Sequence, residues 1–215
     1  MVTLVEIHAD WRLQLDHGLA ALKLPLSEGQ RDQLLGYLGL LARWNRSYNL
    51  TAVRDPTIVV RRQLLDSLSV LPWVDQGPVL DVGTGAGLPG IPLSIARPDL
   101  NFSLLDTNGK KTRFIQQVVA ELGLANVEVI KSRVEQLDRP GHYARITSRA
   151  FATLAEMAAK TTRLLAPDGC WLAMKGTEPE AERDELPPEL GVETVALQVP
   201  GERGQRHLVI LRRQG

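Results

Sequence analysis

The chain has 215 residues, which is enough for one α/β core with an added segment but short for two full domains. Hydrophobic residues make up 44% and charged residues 23%, as in ordinary soluble globular proteins. The formal net charge is zero, and the single cysteine, Cys170, excludes a disulfide framework and a cysteine-based metal site. The first residues have the character of neither a secretory signal nor a membrane-spanning run, so we expect a cytoplasmic location.

Residues 1–75 are expected to form a helical extension that packs on the core. Apolar residues recur at helical spacing in three stretches of this segment. Pro25 ends the first stretch, and Ser27 with Gln30 forms a capping-box pattern that opens the second. The expected helices span residues 4–24, 28–45 and 56–71, with Asp55 as the N-cap of the third and Pro56 at its first position.

Residues 76–215 alternate strand and helix patterns, which predicts a parallel sheet with helices on both faces. Only residues 200–206 separate the last two strands, so these should close the sheet as an antiparallel hairpin. We read Pro167-Asp168-Gly169 as a turn before strand five. The seven expected strands span residues 79–82, 101–106, 127–130, 143–147, 170–174, 192–199 and 207–212. The expected fold is therefore Rossmann-like.

The stretch DVGTGAGLPG, residues 81–90, directly follows the first strand. Its glycines Gly83, Gly85 and Gly87 suit a turn at which the backbone approaches a ligand closely. Asp106 ends the next strand nineteen residues after Gly87, a spacing at which a carboxylate can meet the ribose hydroxyls of a nucleotide-like ligand. A lone Gly-x-Gly-x-x-Gly match is weak evidence, and an ordinary glycine-rich turn is the alternative.

Basic residues follow the ends of four of the five parallel strands, although the whole chain is neutral. The carboxyl ends of parallel strands share one edge of the sheet, so these cations should form a rim around the glycine loop. Such a rim suits a polyanion such as RNA; solvated helix ends or a phosphorylated small molecule are the alternatives. The rim residues are Lys110, Lys111, Arg113, Lys131, Arg133, Arg149 and Lys175, and Arg54 lies in a polar segment that could also reach phosphates.

Several separate motifs between Trp44 and Gly176 resemble the RsmG family, also called glucose-inhibited division protein B. They are DVGTGAGLPGIPLSIARP, LLDTNGKKTRFIQ, SRVEQL, SRAFATL and AMKG, with RWNRSYNLTAVRD and LLDSL upstream. The resemblance implies a class I S-adenosylmethionine-dependent methyltransferase fold. It also implies transfer of a methyl group from S-adenosylmethionine to N7 of a guanine, position 527, in 16S rRNA.

The resemblance also implies site residues. It places the methyl donor at Gly83 and Leu88 in the loop, at Val134 and Glu135 after strand three, and at Arg149 after strand four. Asp106 matches the acidic residue expected on the ribose. The expected donor site is thus Gly83, Gly85, Gly87, Leu88, Asp106, Val134, Glu135 and Arg149. The expected RNA-binding residues are Arg54, Lys110, Lys111, Arg113, Arg133 and Lys175, and Arg149 is the expected catalytic residue.

Methylation of a ring nitrogen is consistent with the absence from this chain of the motifs used to methylate exocyclic amines and ring carbons. Guanine N7 carries a lone pair and no proton, so its methylation needs positioning rather than a general base. Strand four ends in SRAFA rather than the Asn/Asp-Pro-Pro-aromatic run used for exocyclic amines, and Cys170 falls in an apolar strand. Arg149 could hold the donor carboxylate, a phosphate or the guanine O6, and Phe151 could stack on a flipped base or pack in the core.

Two other functions stay open from the sequence. An NAD(P)-dependent oxidoreductase would use the same glycine pattern and Asp106, although the closing hairpin argues against it. A non-catalytic RNA-binding module would use the basic rim alone. The expected partner is 16S rRNA or the small ribosomal subunit, with no membrane, a monomeric chain, and no metal because the four histidines are scattered.

Overall fold

The computed structural model describes residues 9–53 and 55–214. Helix α1 spans Ala9–Ala21 and α2 spans Glu28–Tyr48. The predicted capping box is present, because the Ser27 hydroxyl accepts the Gln30 N–H and the Gln30 side chain accepts the Ser27 N–H. The amino-terminal part of the first predicted helix lies outside the described residues.

The third predicted helix takes a different form. A π-helical segment, Val60–Leu65, continues into the short helix α3, Asp66–Leu68, and a 3-10 turn follows at Leu71–Trp73. Gln63 and Asp66 are buried in this segment, at 1% and 6% exposure. These two polar side chains therefore face the rest of the protein, which the apolar spacing alone did not predict.

A seven-stranded sheet forms the core, in the order β3-β2-β1-β4-β5-β7-β6. Strands β1 to β5 run parallel, and β7 lies antiparallel between β5 and β6, so the predicted closing hairpin is confirmed. The strands are β1 Val79–Val82, β2 Phe102–Asp106, β3 Val127–Lys131, β4 Tyr143–Arg149, β5 Leu165–Lys175, β6 Leu190–Ala196 and β7 His207–Arg213.

Four helices and two 3-10 turns connect the strands. They are α4 Gly90–Ala96, α5 Gly109–Leu122, a 3-10 turn Val134–Gln136, α6 Leu154–Thr161, a 3-10 turn Thr162–Leu164 and α7 Glu180–Asp184. Asn108 caps α5 by accepting the N–H groups of Lys110 and Lys111, and Gly123 ends that helix in the left-handed region.

The turn predicted at Pro167-Asp168-Gly169 is wrong, because these residues lie within β5. Tyr143 pairs with Leu165 and Arg145 with Cys170, so two steps along β4 match five along β5. The extra residues bulge out of the sheet, and a bulge is one of the few strand positions that tolerate proline. The turn-forming residues are therefore accommodated without ending the strand.

Two apolar clusters fill the two faces of the sheet. Neighbouring residues of β1 divide between them, with Val79 in the larger cluster and Leu80 in the smaller, as the alternation of a strand requires. Helices α1, α2, α4 and α5 contribute to the larger cluster, and α6 contributes to the smaller. Among the described residues, no helix is both long and apolar enough to cross a membrane.

Candidate functional site: a glycine loop beside an arginine-lined cavity

The glycine loop leaves β1 and is fixed to the end of β2 by backbone hydrogen bonds. Gly83, Gly85 and Gly87 have φ angles of +68°, +62° and +89°, a region in which residues with a β-carbon are strained. The N–H groups of Gly83 and Thr84 both donate to the carbonyl of Leu105, at 2.9 and 3.0 Å. The loop therefore has one defined conformation, set by its own glycines and by its neighbour strand.

Asp81 lies beneath the loop and ties its two ends together. Its carboxylate is fully buried; Oδ2 accepts from Thr84 Oγ1 at 2.6 Å and from the Gly90 N–H at 2.9 Å. Thr147 of β4 donates to Oδ1 at 3.3 Å. Burial raises the pKa of Asp81 to about 6, although these hydrogen bonds and the charge of Arg149 act in the opposite direction.

Tyr37 of helix α2 also holds the loop. Its buried hydroxyl donates to the carbonyl of Ala86 at 2.9 Å, and burial raises its pKa, so the hydroxyl stays a neutral donor. The amino-terminal helices and the glycine loop thus form a direct polar contact as well as a shared apolar cluster.

The loop and Asp106 fit the adenosine part of a nucleotide-like donor. A β-carbon added at Gly83 would lie 2.5 Å from the Phe151 ring, and one at Gly87 would lie 2.6 Å from Ile91, so the protein's own packing requires both glycines. At Gly85 the nearest atom to an added β-carbon would be the Gly83 oxygen at 3.9 Å, which leaves an open face beside the loop.

Asp106 adjoins that open face, at the end of β2. Its Oδ2 accepts the Gly85 N–H at 2.9 Å, and its Oδ1 accepts the Asn108 N–H at 2.8 Å. An ionised carboxylate has about four acceptor positions, so it keeps capacity for two hydroxyl donors. Lys111 places its ammonium group 3.8 Å from Oδ2. The residues present therefore fit the ribose hydroxyls of the donor expected from the sequence.

The other expected donor residues differ in their exposure. The side chains of Leu88 and Val134 are each 4% exposed and pack in the apolar clusters. Glu135 is exposed on its 3-10 turn, and the guanidinium of Arg163 donates to the carbonyls of Val134 and Glu135 at 2.9 and 3.0 Å. A role of Leu88 or Val134 at the donor would therefore involve the backbone, and it stays a prediction.

Arg149 ends β4, next to β1, and its guanidinium is held by residues of the π-helical segment and by Asp66 at the start of α3. It donates to Asp66 Oδ2, to Gln63 Oε1 and to the carbonyl of Arg62, each at 3.1 to 3.2 Å. Gln63 in turn donates to Thr51 Oγ1 at 2.8 Å. All three of these hydrogen bonds of the guanidinium thus go to segment 62–66, which the sequence did not associate with Arg149.

A cavity of about 360 Å³ opens beside Arg149. Its charged lining residues are Arg62, Asp66, Arg149, Lys175 and Arg206, and Thr51, Gln63 and His207 are further polar residues of the lining. Val53, Met174 and Leu197 form an apolar wall. Four cations and one carboxylate line it together with apolar surface, a combination that suits an anionic ligand with a flat apolar part.

The structure divides the basic rim. Lys110, Arg113, Lys131 and Arg133 are exposed, and within the described ranges no carboxylate lies within ion-pair distance of them. Lys175 instead bonds Glu182 of α7, at 2.8 and 3.0 Å, and the Ala152 carbonyl at 3.2 Å. Arg54 lies outside the described residues.

Phe151 packs against the glycine loop rather than projecting into solvent. Its ring is the group that an added β-carbon at Gly83 would strike, and it is partly buried against the smaller apolar cluster. Ala150 before it is exposed and has a φ angle of +59°, which is unusual for a residue with a β-carbon. Segment 150–152 therefore lies between the glycine loop and the Arg149 cavity.

The strand order, the closing hairpin and the glycine loop define a class I S-adenosylmethionine-dependent methyltransferase, as predicted. Solved structures agree in fold. A putative S-adenosylmethionine-dependent methyltransferase from Methanococcus maripaludis matches with a TM-score of 0.59 at 15% identity, over 83% of this chain and 94% of that one. A methyltransferase from Aquifex aeolicus matches with a TM-score of 0.57 at 20% identity, over 76% of this chain and 96% of its own.

Sequence comparison identifies the family. Residues 30–209 match the GidB family, described as rRNA small subunit methyltransferase G. The ribosomal RNA small subunit methyltransferase G of Marinobacter nauticus is 53% identical over 96% of this chain and 97% of its own length. That of Pseudomonas aeruginosa is 49% identical over 99% of both. The chain belongs to this family, which confirms the resemblance drawn from its motifs, and it is a methyltransferase that uses S-adenosylmethionine.

Proposed function

We propose that the chain transfers a methyl group from S-adenosylmethionine to N7 of guanine 527 in 16S rRNA. The observation that carries the proposal is the adjacency of two unlike sites at the ends of neighbouring parallel strands. The glycine loop follows β1, and Arg149 with its cationic cavity follows β4. In a chain of this family, the first suits the donor and the second suits an RNA acceptor.

The donor, when bound, supplies an electrophilic methyl group on a sulfonium. The glycine loop and Asp106 would hold its adenosine part, as their open face and free acceptor capacity allow. Asp81 and Tyr37 fix the loop from below and from the side, so the donor would meet a preformed surface. Preformed geometry matters because a displacement at carbon requires the attacking atom in line with the leaving group.

The acceptor needs no general base in this reaction. The N7 lone pair forms the new bond to carbon, the electrons of the broken carbon–sulfur bond stay on sulfur, and no proton is transferred. The lining of the cavity is consistent with this chemistry. The carboxylate that lines the cavity, Asp66, is paired with Arg149 at 3.1 Å and with Arg206 at 3.0 Å. Because arginine stays protonated in proteins, neither Arg149 nor Arg206 can act as a base.

Arg149 is the proposed catalytic residue, and of the roles expected from the sequence we propose the one on the acceptor rather than the one on the donor carboxylate. Its planar fork can hold a phosphate or the O6 of guanine, and it already lines the cavity. The exposed cations Lys110, Arg113 and Arg133 would bind the RNA backbone, with Lys111 beside them. Lys175 would need to leave Glu182 to join them, and Arg54 stays a prediction. We further propose that the chain acts as a monomer in the cytoplasm.

The experiment compares 16S rRNA from a strain that lacks this gene with rRNA from the same strain carrying it. Mass spectrometry of nuclease fragments should show N7-methylguanosine at position 527 only when the gene is present. Retention of the modification in the deletion strain would refute the substrate assignment. A thermal-shift titration separates the oxidoreductase alternative, because S-adenosylhomocysteine should raise the melting temperature and NAD should not.

A further inference from the structure

The connection between β6 and β7 carries a buried carboxylate that faces three arginines. Glu202 has a side chain only 6% exposed. Its Oε2 lies 2.8 Å from Arg62 Nε, 3.6 Å from Arg206 and 3.7 Å from Arg61. Its Oε1 accepts the N–H groups of Arg203 and Gly204 at 3.0 and 3.1 Å. Guanidinium groups and backbone N–H groups around one anion are the elements of an oxyanion-binding site.

The electrostatics agree with the geometry. Burial disfavours the charge of Glu202, but the Gly204 N–H and the charges of Arg62, Arg206 and Arg61 together hold its pKa below the ordinary value. The pairing is nevertheless imperfect, because the buried Nε atoms of Arg61 and Arg62 make no hydrogen bond. A group with more oxygens could satisfy these donors better than one carboxylate oxygen does.

This cluster is continuous with the Arg149 cavity. Arg62 and Arg206 both line the cavity, and Arg62 also has 41% of its side chain exposed, so it reaches from the cavity to the surface. Arg206 and Arg149 hold the two oxygens of the same carboxylate, Asp66. An anion at Arg62 and Arg206 would therefore lie beside whatever group Arg149 contacts.

We propose that Arg62 and Arg206 bind a phosphodiester of the RNA strand next to the target nucleotide, and that Glu202 occupies their site in the free protein. The inference rests on the proposed function for the identity of the strand. The RNA phosphate replaces the Glu202 carboxylate, so the connection between β6 and β7 moves from the arginines as RNA binds. Non-specific RNA meets the same obstacle, because its phosphates compete with an anion already in place.

The test measures the dissociation constant of a single-stranded RNA that carries the target loop of 16S rRNA, across a range of salt concentrations. Arg62→Gln should weaken binding and lower the slope of log affinity against log salt by about 0.7, the value for one lost phosphate contact on a single strand. Glu202→Gln should tighten binding several-fold, for the target RNA and for an unrelated RNA alike.

Glu193→Gln is the matched control. Glu193 lies on β6 and pairs with Arg212 at 3.2 Å, both half exposed, so this variant removes one negative charge from the same hairpin. Its affinity should stay within twofold of the unmodified chain. Equal tightening by Glu193→Gln and Glu202→Gln would reduce the effect to net charge and overturn the inference. Should Glu202→Gln fail to fold, an unchanged salt slope in Arg62→Gln would overturn it equally.

The result also separates this inference from the proposed function. If the unmodified chain methylates N7 of guanine 527 but Arg62→Gln leaves the salt slope of RNA binding unchanged, the proposed function stands and the phosphodiester site is refuted. If the unmodified chain makes no N7-methylguanosine but Arg62→Gln lowers the salt slope, the phosphodiester site stands and the proposed substrate is refuted. The thermal shift with S-adenosylhomocysteine, which measures donor binding, should be the same in Arg62→Gln, Glu202→Gln and Glu193→Gln as in the unmodified chain.

Discussion

The site has a donor half and an acceptor half, and a different kind of interaction holds the residues of each half in place. On the donor half, the glycine loop is fixed by backbone N–H groups, by the buried carboxylate of Asp81 and by the buried hydroxyl of Tyr37. On the acceptor half, Arg149, Arg62 and Arg206 are held by ion pairs whose arginines keep 19 to 41% of their side chains exposed.

The difference indicates which half is rigid before substrates arrive. Buried hydrogen bonds to backbone leave little alternative geometry, whereas the partly exposed arginines of the acceptor half can exchange one anion for another without any change in backbone hydrogen bonding. The donor half is therefore preformed, and the acceptor half is a set of cations with temporary internal partners.

Arg149→Ala should give the largest effect. We expect kcat/KM for RNA methylation to fall by about 100- to 1,000-fold, the size seen when one transition-state contact is removed. The affinity for S-adenosylhomocysteine should stay within a few-fold, and the fold should persist because Asp66 keeps Arg206. Arg149→Lys should recover only part of the rate, since lysine lacks the planar fork. Near-normal turnover of the alanine variant would remove Arg149 from catalysis.

Asp81→Asn tests the buried carboxylate under the loop through pH. Its pKa rises on folding from 3.8 to about 6, so between these values the folded chain binds more protons than the unfolded chain. The contribution of Asp81 to the free energy of unfolding should therefore fall as pH rises through this window, by about 3 kcal/mol for roughly two pKa units. Other carboxylates, such as Glu128 and Glu202, have lowered pKa values and contribute in the opposite direction, so the observable is the difference between the two chains. Chemical denaturation from pH 4 to pH 7 should show that the unmodified chain loses stability relative to Asp81→Asn as pH rises. Parallel curves would contradict it.

Asp106→Asn should weaken donor binding without weakening RNA binding. The amide offers fewer acceptor positions beside Gly85, so we expect the dissociation constant of S-adenosylhomocysteine to rise about 10- to 100-fold. Asp99→Asn is the control, because Asp99 is exposed and pairs with Arg97 away from the loop. Calorimetric titration measures the dissociation constant of S-adenosylhomocysteine for both variants. An unchanged constant in Asp106→Asn would exclude the ribose role.

Tyr37→Phe should give the smallest effect. The buried carbonyl of Ala86 loses its donor, which should lower the free energy of unfolding by about 1 to 2 kcal/mol. Tyr48→Phe, on the same helix α2 but 44% exposed, should change it by less than about 0.5 kcal/mol. If both variants lose the same stability, the contact between α2 and the loop has no special weight.

The same contrast explains how much of the site could be predicted from the sequence. The donor half lies within a few short segments, and the interval from Gly87 to Asp106 is set by one helix and one strand, so the glycine spacing indicated it directly. The sheet order and the closing hairpin followed equally well from the alternation of patterns and the short last connection.

The acceptor half could be predicted only in part, because its partners are distant in sequence. Arg149 was identified at its strand end, but Asp66 lies 83 residues from it and 140 from Arg206, and neither pairing has a sequence signal. Lys175 was placed on the open rim since the position of Glu182 on α7 could not be foreseen. Burial of Gln63 and Asp66 depends on these tertiary contacts rather than on local spacing.

The most direct test of the division into a donor half and an acceptor half is an assay of methyl transfer. It uses labelled S-adenosylmethionine at rising concentration and 16S rRNA that lacks the modification. The unmodified chain should produce N7-methylguanosine at position 527. Asp106→Asn should approach the normal rate when donor is saturating, whereas Arg149→Ala should stay slow at every donor concentration. Methylation of another atom, or recovery of Arg149→Ala by excess donor, would contradict the division into a donor half and an acceptor half.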